Sequence, residues 1–169
     1  MALGLLILRL VVGVTLAAHG TQKLFGWFGG YGLNGTGSFL EQLGFFPGRR
    51  HAVLAGSAEL GGGLLLALGL ATPLAATLII SVMSVAIVTV HLKHGFFNHN
   101  QGYEYNLTLA LVALTFAING AGPVSVDAAL GLHDTGPGWG LAALLAGLGG
   151  AAVQLAGRRQ PEPATQKSS

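Results

Sequence analysis

The sequence contains no cysteine among its 169 residues. This absence excludes disulfides, thiol redox chemistry, iron–sulfur clusters and zinc–thiolate sites within the chain. Charged residues are also scarce, since they make up 8% of the chain, compared with roughly 25% in an average soluble domain. So few charges cannot cover the surface of a soluble protein of this size, and an ordinary soluble fold is therefore excluded.

Charge of one sign is not concentrated anywhere in the chain. The formal net charge is +2, and the lysines and arginines are dispersed near the ends of apolar segments. Nucleic-acid binding usually needs a basic cluster, so we expect no nucleic-acid partner. No metal site is predicted either.

What the chain has in abundance is apolar sequence, which accounts for 51% of its residues. Apolar runs that approach or exceed 18 residues are typical of helices that span a membrane. The pattern predicts an all-α membrane protein with an antiparallel four-helix bundle core and a fifth transmembrane helix. The predicted spans cover residues 3–24, 51–70, 73–92, 105–119 and 139–156. The polar tail, residues 157–169, is predicted to be disordered.

Two local signals refine this picture. Thr72 and Pro73 predict the start of the third span, with Thr72 as N-cap and Pro73 as the first helical residue. Ser38 and Glu41 match a capping box, which predicts a short helix near residues 38–43, lying over the mouth of the bundle on the side of His19. The predicted core domain, including this short helix, covers residues 1–132.

The distribution of basic residues predicts the orientation. With five spans, Arg9 stands alone on one side, close enough to its helix end to extend towards water. The other seven of the eight basic residues share the opposite side: Lys23, Arg49, Arg50, Lys93, Arg158, Arg159 and Lys167. Four spans would divide the charges equally. Because basic loops favour the cytoplasmic side, the pattern predicts five spans and a cytoplasmic C-terminus.

Polar residues from several helices converge in one leaflet. His19 and Lys23 lie four residues apart and share a helix face, and Gln22 lies on nearly the same side. Glu59 is eight residues from His51, or roughly 12 Å into the membrane from the same side at 1.5 Å per residue. His91 and Glu104 lie at the loop ends of the third and fourth spans on that side as well. These six residues, His19, Gln22, Lys23, Glu59, His91 and Glu104, are the candidate site.

Each candidate also has an ordinary structural interpretation. His91 and Glu104 fit interfacial polar residues equally well, and Lys23 fits a determinant of membrane orientation. Glu59 is different, because a carboxylate at this depth needs a partner. Either His19 or Lys23 can provide it, and we predict that His19 and Glu59 form one buried polar pair.

Several motifs in order are similar to those of a known family. They are His19-Gly20-x-x-Lys23-Leu24-Phe25-Gly26, Gly29-Gly30-x-Gly32-x-x-Gly35-Thr36, Glu59-Leu-Gly-Gly62, and His91 followed by Gly95-Phe96-Phe97 and Glu104. Together they closely resemble the DoxX family of small bacterial integral membrane proteins, which have a four-helix core. The resemblance covers about residues 5–130 and implies a multi-pass protein of the bacterial plasma membrane.

The resemblance also suggests a function, because relatives include subunits of an archaeal terminal oxidase and of a thiosulfate:quinone oxidoreductase. It implies a membrane component of an oxidoreductase assembly with a redox protein as partner. The leading hypothesis is an intramembrane pocket for a quinone or similar amphiphile, built on His19, Glu59 and His91. Two histidines are too weak a signal to predict haem. The alternatives are a small-molecule carrier and a membrane scaffold for a partner redox protein.

Overall fold

The computed structural model describes residues 2–159, and these contain seven α-helices and no strand. The helices are α1 (Ala2–Phe25), α2 (Gly32–Gln42), α3 (Gly48–Leu68), α4 (Thr72–Ala86), α5 (Glu104–Asn119), α6 (Val126–Ala129) and α7 (Pro137–Ala156). A π-helical turn (Ile87–His91) and a 3₁₀ turn (Leu92–His94) extend α4. The predicted all-α membrane class is confirmed. Residues 160–169 of the predicted disordered tail lie outside the described residues.

In the described part of the chain, four helical segments are long and apolar enough to cross a membrane: Ala2–Phe25, Gly48–Leu68, Thr72–His94 and Pro137–Ala156. They correspond to the first, second, third and fifth predicted spans. The fourth, α5, has 16 residues, which is about 24 Å of helix and slightly less than a hydrocarbon core of about 30 Å. It is nevertheless part of the bundle, because it packs along α4 and α7.

The chain reverses tightly between α3 and α4. Gly69 has a φ of +64°, and the amides of Gly69 and Leu70 bond back to carbonyls in the last turn of α3, which ends the helix. The prediction that Thr72 is the N-cap of α4 is wrong. Thr72 is the first helical residue, and Asp127 of α6 accepts hydrogen bonds from the amides of Ala71 and Thr72. The capping group is therefore supplied by α6, which is distant in the sequence.

The helix α4 occupies the centre of the bundle and packs against α3, α5 and α7. The helix α1 packs on the far side of α3, and glycines let the two backbones approach closely. A Cβ added at Gly63 would lie 2.5 Å from the Ala17 amide nitrogen, and one at Gly20 would lie 2.4 Å from the Leu60 amide nitrogen. Small residues at such contacts are the usual basis of close helix packing in membranes.

The fifth helix is integral to the bundle. Along α7, Gly147 packs against Ile80, and a Cβ at Gly140 would meet the side chain of Ile118 on α5. After α7 the amide of Arg159 donates to the carbonyl of Gly44, at 2.8 Å. The Arg158 side chain donates to the carbonyl of Leu43. Arg158 and Arg159, at the start of the tail predicted to be disordered, therefore contact the loop between α2 and α3.

These contacts define two ends of the molecule. The end of α1, the start of α3 and the end of α7 lie together at what we call the basic end, where Lys23, Arg49, Arg50, Lys93, Arg158 and Arg159 are found. The opposite end, here the Arg9 end, contains the α3–α4 turn and α6.

Arg9 does not extend towards water as predicted. Its side chain is 2% exposed and donates to the carbonyls of Ala121 and Val124, at 3.2 and 2.6 Å. The two terminal nitrogens of the guanidinium thus have backbone acceptors without reaching the surface, whereas Nε is buried with no partner among the described residues. Arg9 therefore fastens α1 to the segment that follows α5, in the same end cluster as Asp127.

Candidate functional site

The contact between α1 and α3 brings two charged side chains together. Lys23 Nζ donates to Glu59 Oε1 and forms an ion pair. The absence of a side chain at Gly56 makes this possible, since a Cβ there would lie 2.7 Å from Leu24 and 3.3 Å from Lys23 Cβ. A larger residue at this position would displace α1 and the stem of Lys23.

The two partners differ in exposure. The Glu59 side chain is 4% exposed, whereas that of Lys23 is 33% exposed. Among the described residues, Glu59 Oε2 has no hydrogen-bond partner although it is buried. A buried carboxylate oxygen without a partner is rare in native structures and indicates a place where a proton, water or ligand can bind.

The predicted pairing of His19 with Glu59 is wrong. His19 Nδ1 lies 3.0 Å from Gln22 Oε1, and Gln22 Nε2 donates to the Phe28 carbonyl at 3.2 Å. Three-residue spacing places His19 beside Gln22 on α1, while the longer Lys23 side chain reaches α3. Glu59 itself is buried as predicted, and Leu64 on the same helix is exposed.

A cavity of about 550 Å³ opens between α1, the loop after it and α2. His19, Gln22 and Lys23 form its α1 wall. The loop and α2 supply the rest: Gly29, Gly30, Tyr31, Gly35, Thr36, Ser38, Phe39 and Gln42. Glu59 does not line this cavity, but its partner Lys23 does. The ion pair therefore connects the cavity to the buried carboxylate, and we call the cavity the α1–α2 cavity.

The helix α2 is longer than the sequence predicted and has a different start. Ser38 lies in its middle rather than at its N-cap, so the predicted capping box does not form. Instead, Glu41 Oε1 accepts a hydrogen bond of 2.9 Å from the amide of Gly48, the first residue of α3. This bond and the packing of α2 on α1 and α3 place the helix beside the cavity.

His91 and Glu104 are at the basic end but do not line the α1–α2 cavity. His91 Nδ1 lies 2.7 Å from the Gln101 carbonyl oxygen. Glu104 Oε2 accepts from the Asn98 amide at 3.0 Å. Both side chains therefore brace the loop between α4 and α5, which agrees with their structural interpretation. Of the three residues predicted to build one pocket, His19 lines the α1–α2 cavity and Glu59 and His91 do not.

A second cavity, of about 380 Å³, lies on the other side of α3 between α3, α4 and α7. Its polar residues include His51 and Gln154, whose Nδ1 and Oε1 atoms are 3.0 Å apart. None of the residues predicted from the sequence as site candidates lines this cavity. The spacing of His51, Leu54, Ala55 and Ala58 on one helix face was a usable signal, but its partners on α4 and α7 become apparent only in the fold.

Within residues 2–159, no group of three histidine, aspartate or glutamate side chains is placed to hold a metal ion.

Comparison with known proteins agrees with the motifs of the α1–α3 region. The DoxX family model matches residues 4–92, which include most of α1, all of α2, α3 and α4, and the π-helical turn after α4. A relative from Bacillus subtilis (strain 168), described as "Putative oxidoreductase CatD", is 31% identical over 125 residues, covering 74% of this chain and 85% of the relative. No solved structure matches. The chain belongs to the DoxX family.

Proposed function

We propose that this protein is the membrane component of an oxidoreductase assembly and binds a quinone or similar amphiphile in the α1–α2 cavity. The observation that carries the proposal is the Lys23–Glu59 pair, which joins the cavity to a buried carboxylate with one unpartnered oxygen. Support for redox chemistry comes from the relative, whose description is that of an oxidoreductase. Membership in the DoxX family supports the membrane context.

Quinone chemistry couples electrons to protons and therefore needs titratable groups at membrane depth. Lys23 lines the cavity as a cation, so it favours an anionic form of a bound head group. Glu59 takes or gives a proton behind it, and its charge is matched by Lys23 in the resting state. His19 and Gln22 are fixed to each other and to the Phe28 carbonyl, so they present an ordered polar wall to the ligand.

Electrons must come from a partner. The chain has no cysteine for an iron–sulfur cluster. His19 is hydrogen-bonded to Gln22, and His91, in the π-helical turn after α4, is hydrogen-bonded to the Gln101 carbonyl. A redox protein docked at one membrane face would exchange electrons with the bound amphiphile. The chain itself supplies the site, the membrane anchor and the proton-exchanging pair.

We further propose that the basic end faces the cytoplasm of a bacterial plasma membrane. Six basic residues in the described chain lie at this end, and only Arg9, which is buried, lies near the other. The positive-inside rule then places both the C-terminal end of α7 and the mouth of the α1–α2 cavity on the cytoplasmic side.

The deciding experiment is extraction of lipid-soluble molecules from the full chain purified in detergent from bacterial membranes. We expect a quinone to co-purify with the unmodified chain and to be lost, by roughly tenfold, in Lys23→Met, as for the removal of one charge-assisted contact. Glu104→Gln is the control, because Glu104 braces a loop away from the cavity.

Two outcomes would contradict the proposal. Absence of quinone from all samples, with added quinone failing to bind, would leave the proton-coupled carrier as the better explanation of Glu59. Equal retention by the unmodified chain and Lys23→Met would place any quinone outside the α1–α2 cavity. In either case, proton-coupled uptake of small molecules would be measured in vesicles that contain the chain. Uptake would indicate a carrier, and no uptake would indicate a scaffold.

A further inference from the structure

The second cavity has walls from three helices and polar side chains at its mouth. It is bounded by one face of each of three helices: His51, Ala55 and Ala58 on α3, Leu78 and Val82 on α4, and Gly150 and Gln154 on α7. Within each helix these residues are three or four positions apart, so each set lies on one side. We call this space the α3–α4–α7 cavity.

This cavity is separate from the proposed quinone site. The face of α3 that contacts α1 contains Gly56, Leu60 and Gly63. His51 and Ala58 lie roughly opposite that face, by the angle of about 100° per residue in an α-helix. The helix α2 lies over both cavities, with Phe39 in the wall of the first and Leu40 in the wall of the second.

Polar groups are concentrated at the mouth of the cavity. His51 lies in the first turn of α3 and Gln154 in the last turn of α7, so both are at the basic end, where the membrane meets water. Their ring and amide lie 3.0 Å apart, and Phe45 packs against the His51 ring with centroids 5.2 Å apart. Ser57 and Ser81 lie deeper, but helical serines can bond to their own backbone and do not require a polar ligand.

The contact between His51 and Gln154 determines which hydrogen-bonding groups at the mouth of the cavity are left for a ligand. With Nδ1–H of His51 donating to Gln154 Oε1, the neutral ring keeps a lone pair on Nε2, and the Gln154 amide keeps its N–H donors. The site then presents one acceptor and one donor side by side. A hydroxyl group can use both at once, because it donates one hydrogen bond and accepts others. Within residues 2–159, no lysine, arginine, aspartate or glutamate lines the cavity, which argues against a charged ligand.

We propose that the α3–α4–α7 cavity binds a neutral amphiphile with a hydroxyl head group at His51 and Gln154 and an apolar body between α3, α4 and α7. A volume of about 380 Å³ falls in the range of small-molecule sites, roughly 300–1,000 Å³. A plain lipid chain would leave the polar mouth unmatched. The contacts of Arg158 and Arg159 with Leu43 and Gly44 hold α7 against the α2–α3 loop and keep the mouth formed.

The test uses the full chain in phosphatidylcholine nanodiscs and two photoreactive probes. One is a twelve-carbon primary alcohol with a diazirine on its chain, and the other is the same chain without the hydroxyl. After illumination, labelled residues are mapped by mass spectrometry. We expect the alcohol to label the cavity walls on α3 and α4 roughly fivefold more than the alkane, in line with one net hydrogen bond.

Three variants decide the result. Ala58→Phe fills the cavity and should abolish wall labelling by the alcohol, whereas Ala152→Phe, at an exposed position on the opposite side of α7, should leave it unchanged. Gln154→Leu should reduce alcohol labelling to the level of the alkane while leaving alkane labelling as it was. Size-exclusion elution shows whether each variant is folded, and Gln154→Leu decides the matter if Ala58→Phe is not.

Equal labelling by the two probes in the unmodified chain would overturn the proposal and identify a cleft for lipid chains. Alcohol labelling that persists in Ala58→Phe, or that does not respond to Gln154→Leu, would also overturn it. None of these outcomes depends on quinone binding, since Lys23 and Glu59 are unchanged in every variant.

Discussion

Lys23 and Glu59 form an ion pair in which each charge is stabilised by the other. Removing water from both charges is costly, and their attraction offsets this cost only while both are present. The nearly complete burial of Glu59 means that it relies on Lys23, while Lys23, being one-third exposed, can still be hydrated. Loss of Lys23 should therefore be the more harmful single change.

We expect Lys23→Met to lower the free energy of unfolding by about 3–5 kcal/mol, because it leaves the Glu59 charge buried and unpaired. The double variant Lys23→Met/Glu59→Leu should recover most of this loss. Thermal unfolding of the purified variants in detergent measures both. If the double variant is less stable than Lys23→Met, the two side chains do not act as a pair.

Glu59→Gln tests function rather than stability. The amide keeps the shape of the carboxylate and can accept a hydrogen bond from Lys23, so the fold should persist. It carries no charge and cannot exchange a proton at neutral pH, so proton-coupled turnover with a quinone should fall by at least about a hundredfold, the scale of a lost general acid or base. Full turnover in Glu59→Gln would restrict Glu59 to a structural role.

At the Arg9 end, the carboxylate of Asp127 caps the start of α4. Its carboxylate accepts from the amides of Ala71 and Thr72 and from the Thr72 hydroxyl, at 2.8, 3.1 and 2.6 Å. We expect Asp127→Ala to cost about 2 kcal/mol or more, since it removes a helix cap and leaves Thr72 buried without its partner.

Asp134→Ala is the matched control, because Asp134 is exposed in the same interhelical segment. Its thermal unfolding should be unchanged within experimental error. Equal destabilisation by the two substitutions would show that the cap contributes little.

At the scale of the helices, glycine decides which elements approach. Gly61, Gly62 and Gly63 are adjacent in the sequence but face different surroundings. A Cβ at Gly63 would lie 2.5 Å from the Gly13 carbonyl oxygen, and one at Gly62 would lie 3.1 Å from Ile79, whereas one at Gly61 meets nothing within 4 Å. The sequence shows three equivalent glycines, and the fold makes them distinct.

Gly63→Ala should therefore separate α1 from α3 and destabilise the protein, while Gly61→Ala should be neutral or stabilise it by up to about 1 kcal/mol through helix propensity. Chemical or thermal unfolding of the two variants makes the comparison. Because the Lys23–Glu59 pair depends on the same helix contact, Gly63→Ala should also weaken quinone retention. Similar unfolding of both variants would contradict the close α1–α3 packing.

At the scale of the whole molecule, the arrangement of the ends implies an orientation that can be measured directly. The chain has no cysteine, so single cysteines can be introduced without background. We expect Asn100→Cys, at the basic end, and Asp134→Cys, at the Arg9 end, to react with a membrane-impermeant maleimide from opposite sides. In intact cells of a bacterium stripped of its outer membrane, only Asp134→Cys should be labelled.

Labelling of both positions from the same side would remove one span and with it the charge argument for a cytoplasmic C-terminus. Labelling of Asn100→Cys alone would keep the five spans and invert the orientation. The location of the proposed partner protein would then change sides as well.

The sequence by itself determined the helical membrane class, the position of the apolar spans and the burial of Glu59. These follow from the length of apolar runs and from helical periodicity, which are local properties of the chain. It also placed His19, Lys23 and Glu59 near one end of the bundle. Residue counts along a helix give depth reliably, because the rise per residue is nearly constant.

Only the tertiary structure decided which side chains meet. Depth does not specify how a helix is rotated or which neighbour it packs against, so Lys23 rather than His19 pairs with Glu59, and Arg9 binds carbonyls beyond α5. Asp127 replaces the expected cap at Thr72 for the same reason. The cavity between α3, α4 and α7 requires three separate faces to converge, and that convergence is set by glycine contacts and helix packing across the whole chain.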